Sequence, residues 1–155
     1  MKNVLEWLEA TTQNNSDKIA FTDTNDTIDY SGVMCTAQHI GTELIAELGV
    51  GREPVAVFSG RHVLTPAYFL GVVYAGRPYA PIDSALPDKR IEKILENLQP
   101  KAVIADAQSV EHVSRILEQL SADESFKLPS LYIAEELSRN SDIDKKALAA
   151  VRRQM

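Results

Sequence analysis

Alternating strand and helix signals predict an α/β fold: an N-terminal helix and a β-hairpin, then strand–helix units around a mostly parallel sheet. Three observations carry that expectation. Pro54–Ser59 and Lys101–Asp106 each hold a short continuous apolar run, as strands buried on both faces require. Helix-length apolar stretches opened or closed by proline and glycine separate them. The resulting order of strand, helix, strand, helix, strand, helix and strand is that of right-handed parallel crossovers.

The elements follow in chain order. Val4–Thr11 reads as a short amphipathic helix with Asn3 as its cap, and Val4, Leu8 and Thr11 share one face with Trp7 beside them. Asn14, Asn15, Ser16 and Asp17 form a polar break. Ile19–Asp23 and Thr27–Tyr30 read as two strands of a hairpin around Thr24, Asn25 and Asp26. Ser31 is placed to cap the clearest helix, whose apolar stripe is Val33, Ala37, Ile40, Gly41, Leu44, Ile45 and Leu48, with Gly49 as its stop. Pro54–Ser59 is a strand. Thr65 and Pro66 open a helix that runs to Ala75 and closes at Gly76. Pro78–Asp83 is extended, because two prolines deny it a helix. Pro87 starts another helix with Ile91, Ile94, Leu95 and Leu98 inside, and Pro100 ends it. Lys101–Asp106 is a strand, Ser109 caps a helix over Val110, Val113, Ile116, Leu117 and Leu120, and Leu131–Ala134 is a last strand. Residues 1–138 read as one unit. The tail 139–155 is polar around Ala147, Leu148 and Val151, and its composition leaves helix and disorder as alternatives.

Composition narrows the function classes. The 155 residues are 45% apolar and 25% charged, ordinary for a globular protein. A net charge of −6 with no basic stripe argues against nucleic acid as a partner. Cys35 stands alone, so no internal disulfide can form, and it reads as a small packing residue in a cytoplasmic protein. Glu6 and Glu9 interrupt the first apolar stretch, so it lacks the layout of a secretion signal or presequence. The run Ala67–Ala75 is far shorter than the about 20 residues a bilayer needs, so no membrane partner is expected.

No phosphate-loop or dinucleotide fingerprint is present. Gly49 and Gly51 follow a helix and read as a stop and turn. His39, His62 and His112 have no metal-ligand spacing, and no Ser-His-acid set follows from spacing alone. Arg61 and His62 come just after a strand's C-terminal end, where α/β sites often form, although an ordinary loop role is the default. The helix from Thr65 is apolar on every face, so it must be enclosed, and Gly71 in its middle implies close packing against a neighbour.

The stretch YAGRPYAPID followed by LPDKRIEKIL is similar to a core motif of the adenylate-forming (AMP-binding) ligase superfamily, at Ala75, Gly76, Tyr79, Pro81, Asp83, Pro87, Arg90 and Ile91. Ile28, Asp29 and Tyr30 resemble that superfamily's first short motif. The resemblance spans Val4–Ala134 in element order and is sharp over about 30 residues. Arg77, Pro78, Ser84, Leu86, Gly32 and Val33 depart from the family pattern. Asp83 leans toward the amino-acid-activating branch, which includes D-alanine–carrier protein ligases and peptide-synthetase adenylation domains.

For a full-length member the resemblance implies ATP and Mg²⁺ as cofactors, an amino acid or other carboxylic acid as substrate, and a carrier protein or CoA as acceptor. The family's phosphate loop, aromatic-Gly-x-Thr-Glu segment, ribose-gripping Asp and lid lysine do not appear in these residues. The chain is therefore expected to be an N-terminal fragment that is inactive alone, with no catalytic, cofactor-binding or metal residue of its own. Its expected partners are the remainder of the ligase, or other copies through an exposed apolar face. The alternative is a stand-alone, non-catalytic α/β binding module.

Overall fold

A computed structural model describes residues 3–139 and 142–154. Residues 140, 141 and 155 of the tail segment lie outside the described residues, as do 1 and 2. The elements are α1 (Val4–Asn15), β1 (Ile19–Thr22), β2 (Thr27–Asp29), α2 (Tyr30–Leu48), β3 (Val55–Ser59), α3 (Thr65–Tyr74), β4 (Tyr79–Asp83), α4 (Asp88–Leu98), β5 (Ala102–Ala105), α5 (Val110–Leu120), β6 (Ser130–Ile133), α6 (Ala134–Leu137) and α7 (Lys145–Arg152). Strands β1 and β2 form the antiparallel hairpin. The other four form a parallel sheet in the order β4-β3-β5-β6. The expected α/β architecture is the observed one.

The sheet divides the apolar residues into layers. All five residues of β3 are buried, which is why that strand is apolar on both faces. Ala56 and Phe58 turn toward α4 and α5, where Ile91, Leu95, Val113 and Ile116 close one core. Val55 and Val57 turn the other way, toward Ile40, Leu44, Tyr68 and Val72 of α2 and α3. A third core lies behind those two helices, where Leu5 and Leu8 of α1 and Leu148 of α7 meet Val33, Ala37 and Tyr74.

Helices α2 and α3 approach so closely that a Cβ on Gly71 would stand 2.6 Å from Ile40 Cβ, and one on Gly41 would stand 2.5 Å from Tyr74 Cβ. The close packing expected of Gly71 is thus realised against α2. None of the α3 residues is exposed, as its all-round apolar character requires.

Several boundaries differ from the sequence reading. Helix α1 continues through the polar run to Asn15, because Thr12, Asn14 and Asn15 return hydrogen bonds to carbonyls four residues back. Its buried stripe is Leu5, Leu8 and Thr12, whereas Val4 and Trp7 are exposed. Asn3 caps it as expected, accepting from Glu6 N–H. Asp29, not Ser31, caps α2 by accepting from Gly32 N–H at 2.6 Å. Cys35 is exposed on α2 and does not pack in the core. Ser109 makes no side-chain cap bond to α5. Asp106 Oδ1 instead accepts from the N–H of Ser109 itself, just ahead of α5. Ala134 belongs to α6 rather than to the last strand.

In the tail, Asp144 caps α7 through the N–H groups of Lys146 and Ala147, so a helix forms where the sequence left two alternatives. Arg152 on α7 makes a two-pronged pair with Glu9 on α1 at 2.8 and 2.9 Å, and the Tyr74 hydroxyl donates to the same carboxylate. Among the described residues no helix is long and apolar enough to cross a membrane.

Arg77, which departs from the family pattern, is buried. Its guanidinium donates to the carbonyls of Leu48, Gly49 and Glu53 and to the Glu53 carboxylate. It therefore satisfies the orphan carbonyls at the end of α2. Pro81 has a comparable structural use. Val55 N–H donates to the Pro78 carbonyl and Ser84 N–H to the Ser59 carbonyl, so the even-numbered residues of β4 pair with β3. Pro81 therefore turns its donor-less nitrogen to the free edge, where it blocks pairing with another strand.

Two stability predictions follow from this packing. Gly71→Ala should destabilise by about 1–2 kcal/mol in urea unfolding: overpacking against Ile40 costs more than the ~1 kcal/mol that alanine adds to helix propensity. A stabilised variant would mean that α2 and α3 do not meet there. Leu148→Ala should cost about 2 kcal/mol by the same measurement, because α7 docks through that side chain. An unchanged midpoint would show α7 undocked.

Candidate functional site

The route of the chain through the sheet locates the site. From β3 it passes along one face through α3 to β4. It then returns along the opposite face through α4 to β5, on the other side of β3. The C-terminal ends of β3 and β5 therefore part at the point where the winding reverses, and α/β folds place their crevices there.

Those two ends carry Ser59 and Asp106, and their side chains are joined. Ser59 Oγ donates to Asp106 Oδ2 at 2.8 Å, and Gly60 N–H donates to the same oxygen at 2.9 Å. Ser109 N–H donates to Oδ1. Burial of Asp106 pushes its carboxyl up, but the bonds from Ser109, Gly60 and Ser59 outweigh burial and hold it below the ordinary carboxylate range. One buried anion thus links the first strand of the sheet, the loop after it and the start of α5.

His62 completes the cluster. Its Nε2 lies 3.2 Å from Ser59 Oγ and 3.5 Å from Asp106 Oδ2. Leu64 N–H donates to its Nδ1 at 3.3 Å, so Nδ1 is the acceptor and the proton sits on Nε2. Serine, histidine and aspartate come together here although no spacing in the sequence announces it. They are not a nucleophile triad. A triad's acid binds Nδ1–H and leaves Nε2 free to take the serine proton. Here Nε2 already carries a proton, and Ser59 gives its own to Asp106. Thr65 Oγ1 donates to the Gly60 carbonyl and completes a wall whose polar groups are satisfied. Behind it the Tyr68 phenol is buried with no hydrogen-bond partner among the described residues. Burial first, then the charges of Glu135 and Asp106, raise its pKa.

In front of this wall lies a cavity of about 440 Å³. Val57, Pro81 and Phe69 give it an apolar lining, and Phe21 and Asp23 of the hairpin close the far side. Asp23 secures that side by accepting from Val63 N–H at 2.8 Å, while its other oxygen accepts from Asn25 and Asp26. Those three backbone donors lower its pKa. At the mouth Arg61 stands 3.6 Å from Asp83, with side chains 92% and 36% exposed.

Of the two residues singled out from sequence, Arg61 lines the mouth and His62 belongs to the inner wall. Ser59 and Asp106 were missed. Their signal is positional only, since each is the polar residue at the end of an apolar strand. His39 and His112 lie on helices away from the cavity lining, and His112 pairs instead with Asp88 at 2.7 Å. Among the described residues no three His, Cys, Asp or Glu side chains are placed to hold a metal ion. Of the charged side chains that line the cavity, Asp23 and Asp83 outnumber the single guanidinium of Arg61, a poor match for a bare triphosphate.

Comparison with known proteins gives a consistent family. The family model described as AMP-binding enzyme matches residues 8–153. A D-alanine–D-alanyl carrier protein ligase of Lactiplantibacillus plantarum is 46% identical over 56 residues, which is 36% of this chain and 11% of that protein. A syringomycin synthase of Pseudomonas syringae is 27% identical over 123 residues, 79% of this chain and 20% of that protein. Among solved structures, a benzoate CoA ligase from Burkholderia xenovorans superposes with a TM-score of 0.79 at 20% identity, over 94% of this chain and 30% of that one. The chain thus spans between a tenth and a third of the length of these proteins.

Asp106→Asn should lower stability at neutral pH by about 2 kcal/mol, because the amide cannot accept all the bonds now made. The sign of the pH effect follows from the depressed carboxyl. The stability contributed by ionised Asp106 is complete above its ordinary value of 3.8 and is lost as pH falls below that. Acid unfolding of the parent should steepen below about pH 4, and the variant should lack that component. Identical acid profiles would overturn this assignment.

Proposed function

Because the chain belongs to the AMP-binding enzyme family, we propose that it forms the N-terminal α/β layer of a ligase that adenylates an amino acid, or another carboxylic acid, for transfer to a carrier thiol. The observation that most supports the amino-acid branch is the 46% identity over 56 residues with a D-alanine–D-alanyl carrier protein ligase. In this reading ATP and Mg²⁺ bind to parts of the enzyme that these residues do not supply, and the thiol of a carrier protein or of CoA is met there too. This layer contributes the packed sheet, the rigid Pro78–Asp83 edge and no catalytic residue. Its partners are the rest of such a ligase, or a second copy through exposed apolar side chains such as Val4 and Trp7. The exposed single cysteine suits a reducing, cytoplasmic setting. A non-catalytic α/β binding module is the second reading, and the cavity at the sheet's C-terminal edge favours it.

ATP–pyrophosphate exchange separates the two. The purified chain should show no exchange with D-alanine or any proteinogenic amino acid. A chimaera in which it replaces the corresponding N-terminal region of the L. plantarum ligase should exchange with D-alanine. A chimaera that unfolds cooperatively yet never exchanges would favour the module, and exchange by the chain alone would overturn the non-catalytic role.

A further inference from the structure

We propose that the free edge of β6 takes up an extended segment of another polypeptide as an added strand, one in which basic residues alternate with apolar ones. Such binding requires no adenylation and holds under either reading of the function. A sheet edge is a row of backbone donors and acceptors, which proteins commonly blunt with proline or charge. The two edges of this parallel sheet differ in that respect. At β4 the outward position is Pro81, which interrupts pairing. Strand β6, Ser130–Ile133, holds no proline. Ser130 N–H donates to the Lys101 carbonyl, and the register runs from Ala102 beside Ser130 to Ala105 beside Ile133. Ser130 and Tyr132 therefore turn their backbone groups to β5, and Leu131 and Ile133 turn theirs outward. Among the described residues nothing accepts from the Leu131 and Ile133 N–H groups or donates to the Leu131 carbonyl.

The side chains along that edge specify the occupant. A groove of about 430 Å³ runs beside it, with Leu131, Tyr132 and Leu137 as apolar lining and Glu43, Glu47 and Glu136 as its only charges. Glu47 and Glu136 are exposed, and none of the three carboxylates has an ion-pair partner among the described residues. On the α5 side of the strand, Val110 and Leu131 lie with Glu111 and Arg115, whose charges are opposite. A strand laid along β6 sends alternate side chains to these two sides. One set meets uncompensated carboxylates and calls for Lys or Arg. The other meets Val110 and Leu131 and calls for Val or Ile. Backbone pairing supplies the affinity and the alternation supplies the choice of partner. A second copy of this chain fits poorly, since pairing β6 with β6 would gather the same carboxylates from both copies at one edge.

The test uses the full chain and the synthetic peptide Lys-Val-Arg-Val-Lys-Val-Arg. Fluorescence anisotropy of the labelled peptide should saturate below about 1 mM protein. Amide hydrogen exchange should slow at least about tenfold at Leu131 and Ile133 in the complex, and by less at Ser130 and Tyr132, which are already in the ladder. A peptide with Glu at the basic positions, or with the amides that face β6 N-methylated, should bind at least about tenfold more weakly. Glu47→Lys combined with Glu136→Lys should weaken the basic peptide to the same degree and strengthen the Glu peptide. Ile133→Pro should weaken it as well. The φ of −92° at Ile133 is near proline's range, and the N–H it loses faces away from β5. If that variant does not unfold cooperatively, exchange at the two outward amides of the parent decides. No saturation, equal binding of the Glu or N-methylated peptide, or protection that bypasses Leu131 and Ile133 would overturn the proposal. So would a free chain that is already dimeric with those two amides protected, which would assign the edge to a second copy. The readout uses no ATP, so a chimaera that fails to exchange pyrophosphate bears on the ligase reading alone.

Discussion

The close crossing of α2 and α3 is the constraint from which the remaining architecture follows. Two glycines, Gly41 and Gly71, remove the side chains that would hold the helix backbones apart. At that distance the two helices together cover Val55, Val57, Ala102 and Ile104 with one set of side chains. Their outer sides then form a platform on which α1 and α7 dock through Leu5, Leu8 and Leu148. A wider crossing would leave the platform discontinuous, and the Glu9–Tyr74–Arg152 contact would lose its middle member. Close packing, not helix propensity, accounts for glycine in the middle of both helices.

The second organising element is electrostatic. Asp106 is a buried anion whose cost is offset by donors from three pieces of chain: Ser59 at the end of β3, Gly60 in the following loop, and Ser109 at the start of α5. Its position at the winding reversal holds the loop that bears Arg61 and His62 against the sheet. The hairpin reaches the same loop from outside through Asp23 and Val63. The cavity exists because these two carboxylates hold opposite ends of one short segment. The same saturation that makes the wall rigid also makes it chemically quiet, since His62 has no free acceptor nitrogen with which to activate Ser59.

How much was legible depended on the range of the physics. Gly49 stops α2 at φ 65°, a left-handed backbone that glycine adopts freely. Pro87 begins α4 and Asn3 caps α1, each through contacts within a few residues. Errors arose where two local solutions competed. Asp29 and Ser31 could both cap α2, and the carboxylate one turn ahead of the Gly32 N–H won. The faces of α1 show the same limit. Leu8 satisfies either stripe, and only the position of α2 decides that Leu5 is buried and Trp7 exposed.

What the sequence determined by itself was the class of fold and the family motif. Burial on both faces demands unbroken apolar strands, and turn chemistry depends on neighbouring residues, so both leave periodic or punctuated marks in the chain. What only the tertiary structure decided was the Ser59–His62–Asp106 wall, the Arg61–Asp83 mouth and the docking of α7. Ser59 and Asp106 are 47 residues apart, and Glu9 and Arg152 are 143 apart. No local pattern couples such pairs. They meet because β3 and β5 are neighbours in the sheet and because α2 and α3 offer one continuous surface to both ends of the chain.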